Sequence, residues 1–261
     1  MVESFQKAQF DNLPVEIYPD RSALGRAAAE RAATIIRAAV AEQGWANLIV
    51  ATGTSQLAFY DALRQLAGID WQAVRLFHMD EYVGLSPEHP GSLRRYLHDH
   101  LVDAVRPAAF YGVAGDAPNP QRECERYAEL LRMYPVDLCC LGFGENGHLA
   151  FNDPTVARFD DPYRVKVVEL EATSRQQQVG EGFFSELADV PQFAITLTIP
   201  ALLAAKHILA IVPEKRKAPA VRAALTGPIT HYCPASILRT TSQARLYLDV
   251  DAYSLVRPRV Q

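Results

Sequence analysis

The chain has 261 residues, 49% of them hydrophobic and 21% charged, with a formal net charge of −4. That length fits one large α/β domain or two small ones, and the composition is ordinary for a soluble globular protein. The negative balance gives no electrostatic reason to expect nucleic acid or an anionic membrane as a partner, so an anionic ligand must be held by local groups.

Taken in order, apolar runs alternate with helical patterns. The segment LPVEIY (13–18) predicts a first strand. Asp20 is placed to cap a long helix with Leu24, Ala28, Ile35, Ile36 and Val40 on its apolar positions, and Gly44 to end it. NLIVAT (47–52) reads as a buried strand, followed by a helix from about Ser55 to Leu66 that Gly68 closes. VRLFHM (74–79) is a further strand, and a loop with Pro87, Pro90 and Gly91 leads to a helix near 92–102. APNPQ (117–121) starts a helix ending near Met133, and VDLCCLGF (136–143) is the most apolar strand. YRVKVVEL (163–170), FAITLTI (193–199), HILAIV (207–212) and RLYLDV (245–250) supply more strands.

Strand then helix, repeated, predicts a single-domain, mainly parallel, doubly wound (Rossmann-like) sheet with helices on both faces. Repeats, low-complexity segments and long polar linkers are not visible. Cys124, Cys139, Cys140 and Cys233 form no C-x-x-C pair, and Cys139 and Cys140 should point to opposite faces of their strand as reduced core thiols. The opening MVESFQKAQF lacks a basic region followed by an apolar stretch, and no run of 18 apolar residues occurs. A cytoplasmic protein without a membrane span is therefore expected.

Ligands of such sheets bind beyond the carboxyl ends of the strands. Three segments that directly follow strands should meet there: TGTS (52–55), MDEY (79–82) and GENGH (144–148). The stretch LGFGENGHLAFNDP also spells G-x-G-x-x-G at Gly142, Gly144 and Gly147. A dinucleotide fingerprint needs its third glycine to open a helix, and Pro154 and Pro162 leave no room for one. What remains is a glycine-rich turn carrying Asn146, His148 and Asp153. A histidine trades protons near neutral pH, and a nearby carboxylate can orient its ring. A core histidine with Asn and Asp serving the turn is the plainer alternative.

Thr52, Gly53, Thr54 and Ser55 offer backbone N–H groups and hydroxyls at a helix start, which suits a phosphate. An ordinary N-cap by Thr54 or Ser55 accounts for them equally well. Asp80 or Glu81 could serve as a general base, or as a helix cap. His78, Asp80 and His148 form the one set a metal could use, but their spacing resembles no compact metal motif. Lys215, Arg216 and Lys217 begin a helix with Pro219 in its first turn, where cations oppose the macrodipole unless an anion sits among them.

These segments, in this order, resemble the glucosamine-6-phosphate deaminase (isomerase) family, within the larger group that includes 6-phosphogluconolactonases. The likeness runs from LIVATGTS to ARLYLDV and is densest in MDEYVGLSPEHPGS (79–92) and GFGENGHLAFNDP (142–154), which differ from the lactonase versions. It implies aldose–ketose isomerisation with deamination of a 2-amino sugar 6-phosphate, in the first place glucosamine 6-phosphate, without metal or redox cofactor. Asp80 then matches the base that moves the proton between C1 and C2. His148 matches the ring-opening acid/base, and Asp153 the carboxylate, usually Glu, that assists it. Asn146 stands where some members have Asp and others Asn. Thr52, Gly53, Thr54 and Ser55 match the phosphate loop, and Lys217 the phosphate-binding lysine.

One departure bears on the substrate. Family members usually carry an arginine just before an FF-like pair, where it helps hold the phosphate, and here Gly182 occupies that place. Arg175 and Arg216 are the candidate substitutes. Arg164 and Lys166 resemble an allosteric phosphate site of some members, although a strand with alternating charges accounts for them too. A different amino sugar phosphate and a non-catalytic sugar-phosphate-binding regulator are the alternative functions, with lactonase chemistry last. A homo-oligomer is compatible with the resemblance.

Overall fold

The computed structural model describes residues 4–256. Gln6–Phe10 (β1) and Leu13–Tyr18 (β2) form an antiparallel hairpin. Asp20 then accepts a hydrogen bond from Ala23 N and starts Arg21–Gln43 (α1), which Gly44 ends in the left-handed conformation. Ala46–Val50 (β3), Leu57–Leu63 (α2), Val74–His78 (β4) and the short Asp80–Tyr82 (β5) follow. Ser92 caps Leu93–Leu97 (α3), which passes through a π-helical turn at His98–Val102 into Asp103–Val105 (α4) and then Ala109–Tyr111 (β6). Asn119 caps Pro120–Met133 (α5), with the proline where its missing N–H costs nothing. Leu138–Leu141 (β7), Val165–Glu169 (β8), Ala172–Gly180 (α6) and Phe193–Leu197 (β9) come next. Ile199–Leu203 (α7), His207–Val212 (β10), Ala218–Thr226 (α8), Ala244–Asp249 (β11) and Val250–Tyr253 (α9) complete the described chain.

The main sheet has the order β1-β2-β11-β10-β7-β3-β4-β6, and every pairing except that of β1 is parallel. From β3 the chain steps outward through β4 to β6, then returns to the other side of β3 at β7 and continues through β10 to β11. The direction reverses between β3 and β7, and the loops leaving these two strands part there to form a crevice.

Both sheet faces are covered, which is why the central strands read as continuous apolar runs. Leu48, Val50 and Cys140 pack with α1 and α2, whereas Ile49, Ala51 and Cys139 pack with α5 and α8. Each fully buried Leu or Ile here stabilises the fold by about 1.5–3 kcal/mol. The four cysteines are buried and free. Among the described residues, no helix is long and apolar enough to cross a membrane.

Helix α1 approaches α2 closely, and Gly25 sets the distance. A β-carbon there would lie 2.6 Å from the carbonyl carbon of Ala58. Gly25→Ala must push the helices apart, and the expected result is a loss of about 1–3 kcal/mol by overpacking, against the small gain in helix propensity. A urea titration of variant and parent, compared at constant m, checks it.

Two strands depart from the sequence expectation. β8 and β9 do not extend the parallel sheet but pair antiparallel with each other and with β5, in a separate layer of order β5-β9-β8. The segment VKVVE is less uniformly buried than the central strands: Val165 and Val168, on opposite faces, are buried, Lys166 and Val167 are half-buried and Glu169 is exposed. The helices expected at 55–66 and 92–102 are also shorter, the first ending at Leu63 and the second broken by the π-helical turn.

Candidate active site

The three segments do converge. Thr52, Gly53 and Ser55 after β3, Asp80 in β5, and Gly142, Phe143, Gly144 and His148 after β7 line one cavity of about 70 Å³ with Lys217, Gln177, Gln178 and Glu181. A larger groove of about 970 Å³ lies outside it, lined by Thr54, Glu145, Arg216, Arg21 and Glu214. Gln177 and Glu181 line both and form the wall between them.

Asp80 and its neighbour Glu81 point to opposite sides of β5 and meet different fates. Glu81 is fully buried and accepts hydrogen bonds from Leu93 N (3.1 Å), Arg94 N (2.8 Å) and Ser92 Oγ (2.8 Å), so it clamps the start of α3. Burial pushes its carboxyl up despite these bonds. Asp80 is buried against the cavity, and its Oδ1 has no hydrogen-bond partner. Burial first, and the charge of Glu81 second, raise its pKa to about 8. A carboxylate so placed has high basicity and a free acceptor oxygen.

The glycines of the central loop are explained by contacts. A β-carbon on Gly144 would lie 2.1–2.3 Å from three atoms of the His148 ring. Gly147 has φ +83, and the turn is closed by Gly147 N donating to Gly144 O. No helix follows Gly147. Turns and a short bridge between Leu149 and Asn152 lead on towards β8.

His148 lines the cavity and is backed by three polar side chains. Its Nδ1 lies 3.0 Å from Asp153 Oδ1 and 3.2 Å from Ser174 Oγ. Ser174 Oγ also donates to Asp153 Oδ1, and Asn146 Nδ2 donates to the same oxygen at 2.9 Å. Asn146 Oδ1 in turn accepts from His148 N at 3.1 Å. Burial works to raise the Asp153 carboxyl, but the hydrogen bond and charge of His148, with the bonds from Asn146 and Ser174, outweigh it and hold it below the usual carboxylate range. The arrangement leaves Nδ1 committed to the carboxylate and the far side of the ring turned to the cavity. Asn146 and Asp153 therefore stand behind His148 and do not line the cavity themselves. Ser174 had no signal in the sequence. It reaches the pair from α6, a helix whose packing is not local to the loop.

The TGTS loop is pinned from outside. Tyr96 Oη donates to Gly53 O at 2.7 Å, and Arg21 Nη2 to Thr54 O at 3.0 Å. Neither Thr54 nor Ser55 caps a helix through its side chain. Instead Thr54 Oγ1 accepts from Arg216 Nη2 at 3.1 Å. Lys217 is buried in the cavity wall, and burial lowers its pKa to about 8 against the raising influence of Glu181.

Of the two arginines named as substitutes for the absent one, only Arg216 is near. Arg175 is turned away and spends its guanidinium on Leu187 O (2.7 Å) and Val190 O (2.7 Å). Gly182 lies in the left-handed region at φ +81, a backbone that an arginine adopts only with strain. Lys166 is tied to Val156 O (2.6 Å) and Asp161 (2.8 Å) in a local bracket, and Arg164 is exposed. The buried His78 ring does not line the cavity, so the metal set His78, Asp80 and His148 is not brought together. No group of three or more His, Cys, Asp or Glu side chains is arranged as metal ligands among the described residues.

Comparison with known proteins gives the family. The profile for glucosamine-6-phosphate isomerases/6-phosphogluconolactonase matches residues 19–247. The chain belongs to that family. A glucosamine-6-phosphate deaminase of Exiguobacterium sibiricum is 39% identical over 79% of this chain and 80% of its own. One from a Geobacillus species is 36% identical over 87% and 91%. Among solved structures, a monomeric glucosamine-6-phosphate deaminase superposes with a TM-score of 0.84 at 31% identity, over 92% of this chain and 99% of that one. A 6-phosphogluconolactonase from Shewanella baltica shares the fold, with a TM-score of 0.75 at 20% identity over 93% and 99%.

Proposed function

We propose that the protein converts glucosamine 6-phosphate and water into fructose 6-phosphate and ammonia in the cytoplasm. The observation that carries this reading is one cavity lined by a buried carboxylate of raised pKa, a carboxylate-backed histidine, and a backbone loop beside a lysine. Relatives that bear the deaminase name, at 36–39% identity over most of the chain, support the same chemistry.

In this reading His148 moves a proton at the ring oxygen and opens the pyranose, with Asp153 stabilising its charged form and Ser174 and Asn146 holding the pair. Asp80 takes the proton from C2, the ammonium on C2 passes a proton to O1 so that the C1 carbonyl becomes an enol, and Asp80 returns its proton to C1. The nitrogen at C2 is then an imine. Water adds at C2, ammonia leaves, and the ketone of fructose 6-phosphate remains. Glu81 acts on this step through Asp80, by fixing β5 to the start of α3 and raising the basicity of its neighbour. The N–H groups of residues 52–55 and the ammonium of Lys217 bind the phosphate, with Arg216 as the second cation.

Ammonia release from glucosamine 6-phosphate and from unphosphorylated glucosamine tests the reading. Release from the first and little from the second is expected, and equal rates or none from either would refute it. A pH profile follows from the two shifted groups. Asp80 must be ionised and Lys217 protonated, and both titrate near about 8. The kcat/KM profile should therefore be a narrow bell centred near pH 8. Lys217→Arg, which stays charged at every accessible pH, should remove the alkaline limb and leave the acid limb.

A further inference from the structure

The phosphate end of the cavity already contains an anion. Arg216 is held by three carboxylates: Glu214 at 2.6 Å, Glu181 at 2.8 Å and Glu145 at 3.0 Å. Glu214 and Glu145 lie on the outer groove, but the Glu181 side chain is only 6% exposed and reaches the inner cavity. Its Oε1 accepts from Arg216 Nη1 and from Gln177 Nε2, both at 2.8 Å. Its Oε2 lies 3.6 Å from where a β-carbon of Gly53 would stand, against the loop whose N–H groups suit a phosphate. The position directly follows α6 and is flanked by Gly180 and Gly182, whose α-carbons both face open space. The two glycines put no side chain beside Glu181, while bonds from Glu181 N to Gln177 O (2.9 Å) and from Gly182 N to Val179 O (3.0 Å) hold the turn, so the carboxylate has room to move by its own side-chain torsions.

A phosphate dianion and this carboxylate cannot share one arginine, one lysine and one loop without like charges in contact in a poorly solvated site. One must leave. We propose that Glu181 is a built-in counter-anion that occupies the phosphate end in the free protein, yields Arg216 and Lys217 to the incoming group, and thereby selects a dianionic phosphate over a singly charged or neutral group. This rests on the assignment of residues 52–55 and Lys217 to the phosphate. The selection follows from charge. A monoanion replacing Glu181 gains the cations no more negative charge than they had, whereas a dianion brings one charge more. The absence of an arginine at Gly182 fits this arrangement, because the site trades its resident anion for the substrate's and retains both cations.

The test uses two ligands of one shape, methyl phosphate, a dianion at pH 8, and methyl sulfate, a monoanion. Their binding to the native protein, Glu181→Gln and Glu181→Asp is measured calorimetrically at one ionic strength, with thermal midpoints as the check on folding. Glu181→Gln keeps the size of the side chain and removes its charge. It should bind methyl phosphate about tenfold or more tightly than the native protein, the scale of one charged hydrogen bond released. Methyl sulfate should become a ligand of this variant and not of the native protein. Glu181→Asp, which withdraws the carboxylate by one methylene, should fall between them. Unchanged or weaker binding of methyl phosphate by folded Glu181→Gln overturns the proposal, as does a native protein that binds both ligands alike or neither. Because the readout is binding without turnover, tightening in a protein that releases no ammonia leaves the counter-anion in place and removes only the deaminase reading.

Discussion

Asp80→Asn is expected to lower kcat by about 10²–10⁴-fold, the usual cost of losing a positioned general base, and to leave the fold as stable as before or more so. The asparagine amide has nearly the shape of the carboxylate but cannot accept the C2 proton. The stability half of the expectation comes from linkage. Burial and Glu81 raise the Asp80 pKa from 3.8 to about 8 in the folded protein. Between these values the folded state binds a proton that the unfolded state has lost, so the native protein loses stability as pH rises through that window. Asparagine has no such dependence. Denaturant midpoints at pH 5 and pH 8 should therefore fall for the native protein relative to the variant. Exchange of the C2 proton with solvent, followed by NMR, should cease in the variant. Near-normal deamination by Asp80→Asn would remove Asp80 from the base role, whatever the stability data show.

Gly144→Ala should cost about 10²-fold in kcat, the scale of displacing a catalytic group by about 1 Å. The new methyl group would stand 2.1–2.3 Å from three atoms of the His148 ring, and all three distances are impossible. The ring cannot retreat without leaving Asp153 and Ser174, which meet its Nδ1 at 3.0 and 3.2 Å. The strain of the insertion is about 1–3 kcal/mol and should lower the midpoint without unfolding the protein. The NMR signals of the His148 ring distinguish this from a general loss of structure. Their chemical shifts should change while those of the distant His207 do not. An unchanged His148 signal with full activity would show that the ring is not held as described.

Much of the site was legible because parallel strands deliver their following loops to one edge. TGTS, MDEY and GENGH each follow a strand, and that alone predicted their meeting. Choosing Asp80 over Glu81 was not available from periodicity, because both lie in a buried triplet. The choice depended on which carboxylate α3 captured, and Leu93, Arg94 and Ser92 took Glu81. Arg175 and Arg216 were equal candidates in the sequence. Backbone carbonyls of residues 187 and 190 captured the first, and Thr54 met the second.

The sequence by itself determined what short range decides. Asp20 and Gly44 bracket α1 because caps act within one turn, and Pro154 and Pro162 deny a helix after Gly147 because proline cannot continue one. The strand order, with its reversal between β3 and β7, was not legible in this way, because right-handed crossovers set the face a helix covers and not the side on which the next strand joins. Tertiary structure alone decided the rest. β8 and β9 left the main sheet for β5 because a strand's partner is chosen by packing over long separations, not by its own pattern. Ser174 reached Asp153, and Glu181 reached Arg216, because α6 folds over the carboxyl edge of the sheet. Contacts of this kind join residues far apart in the chain, and nothing in either partner's neighbourhood records the other.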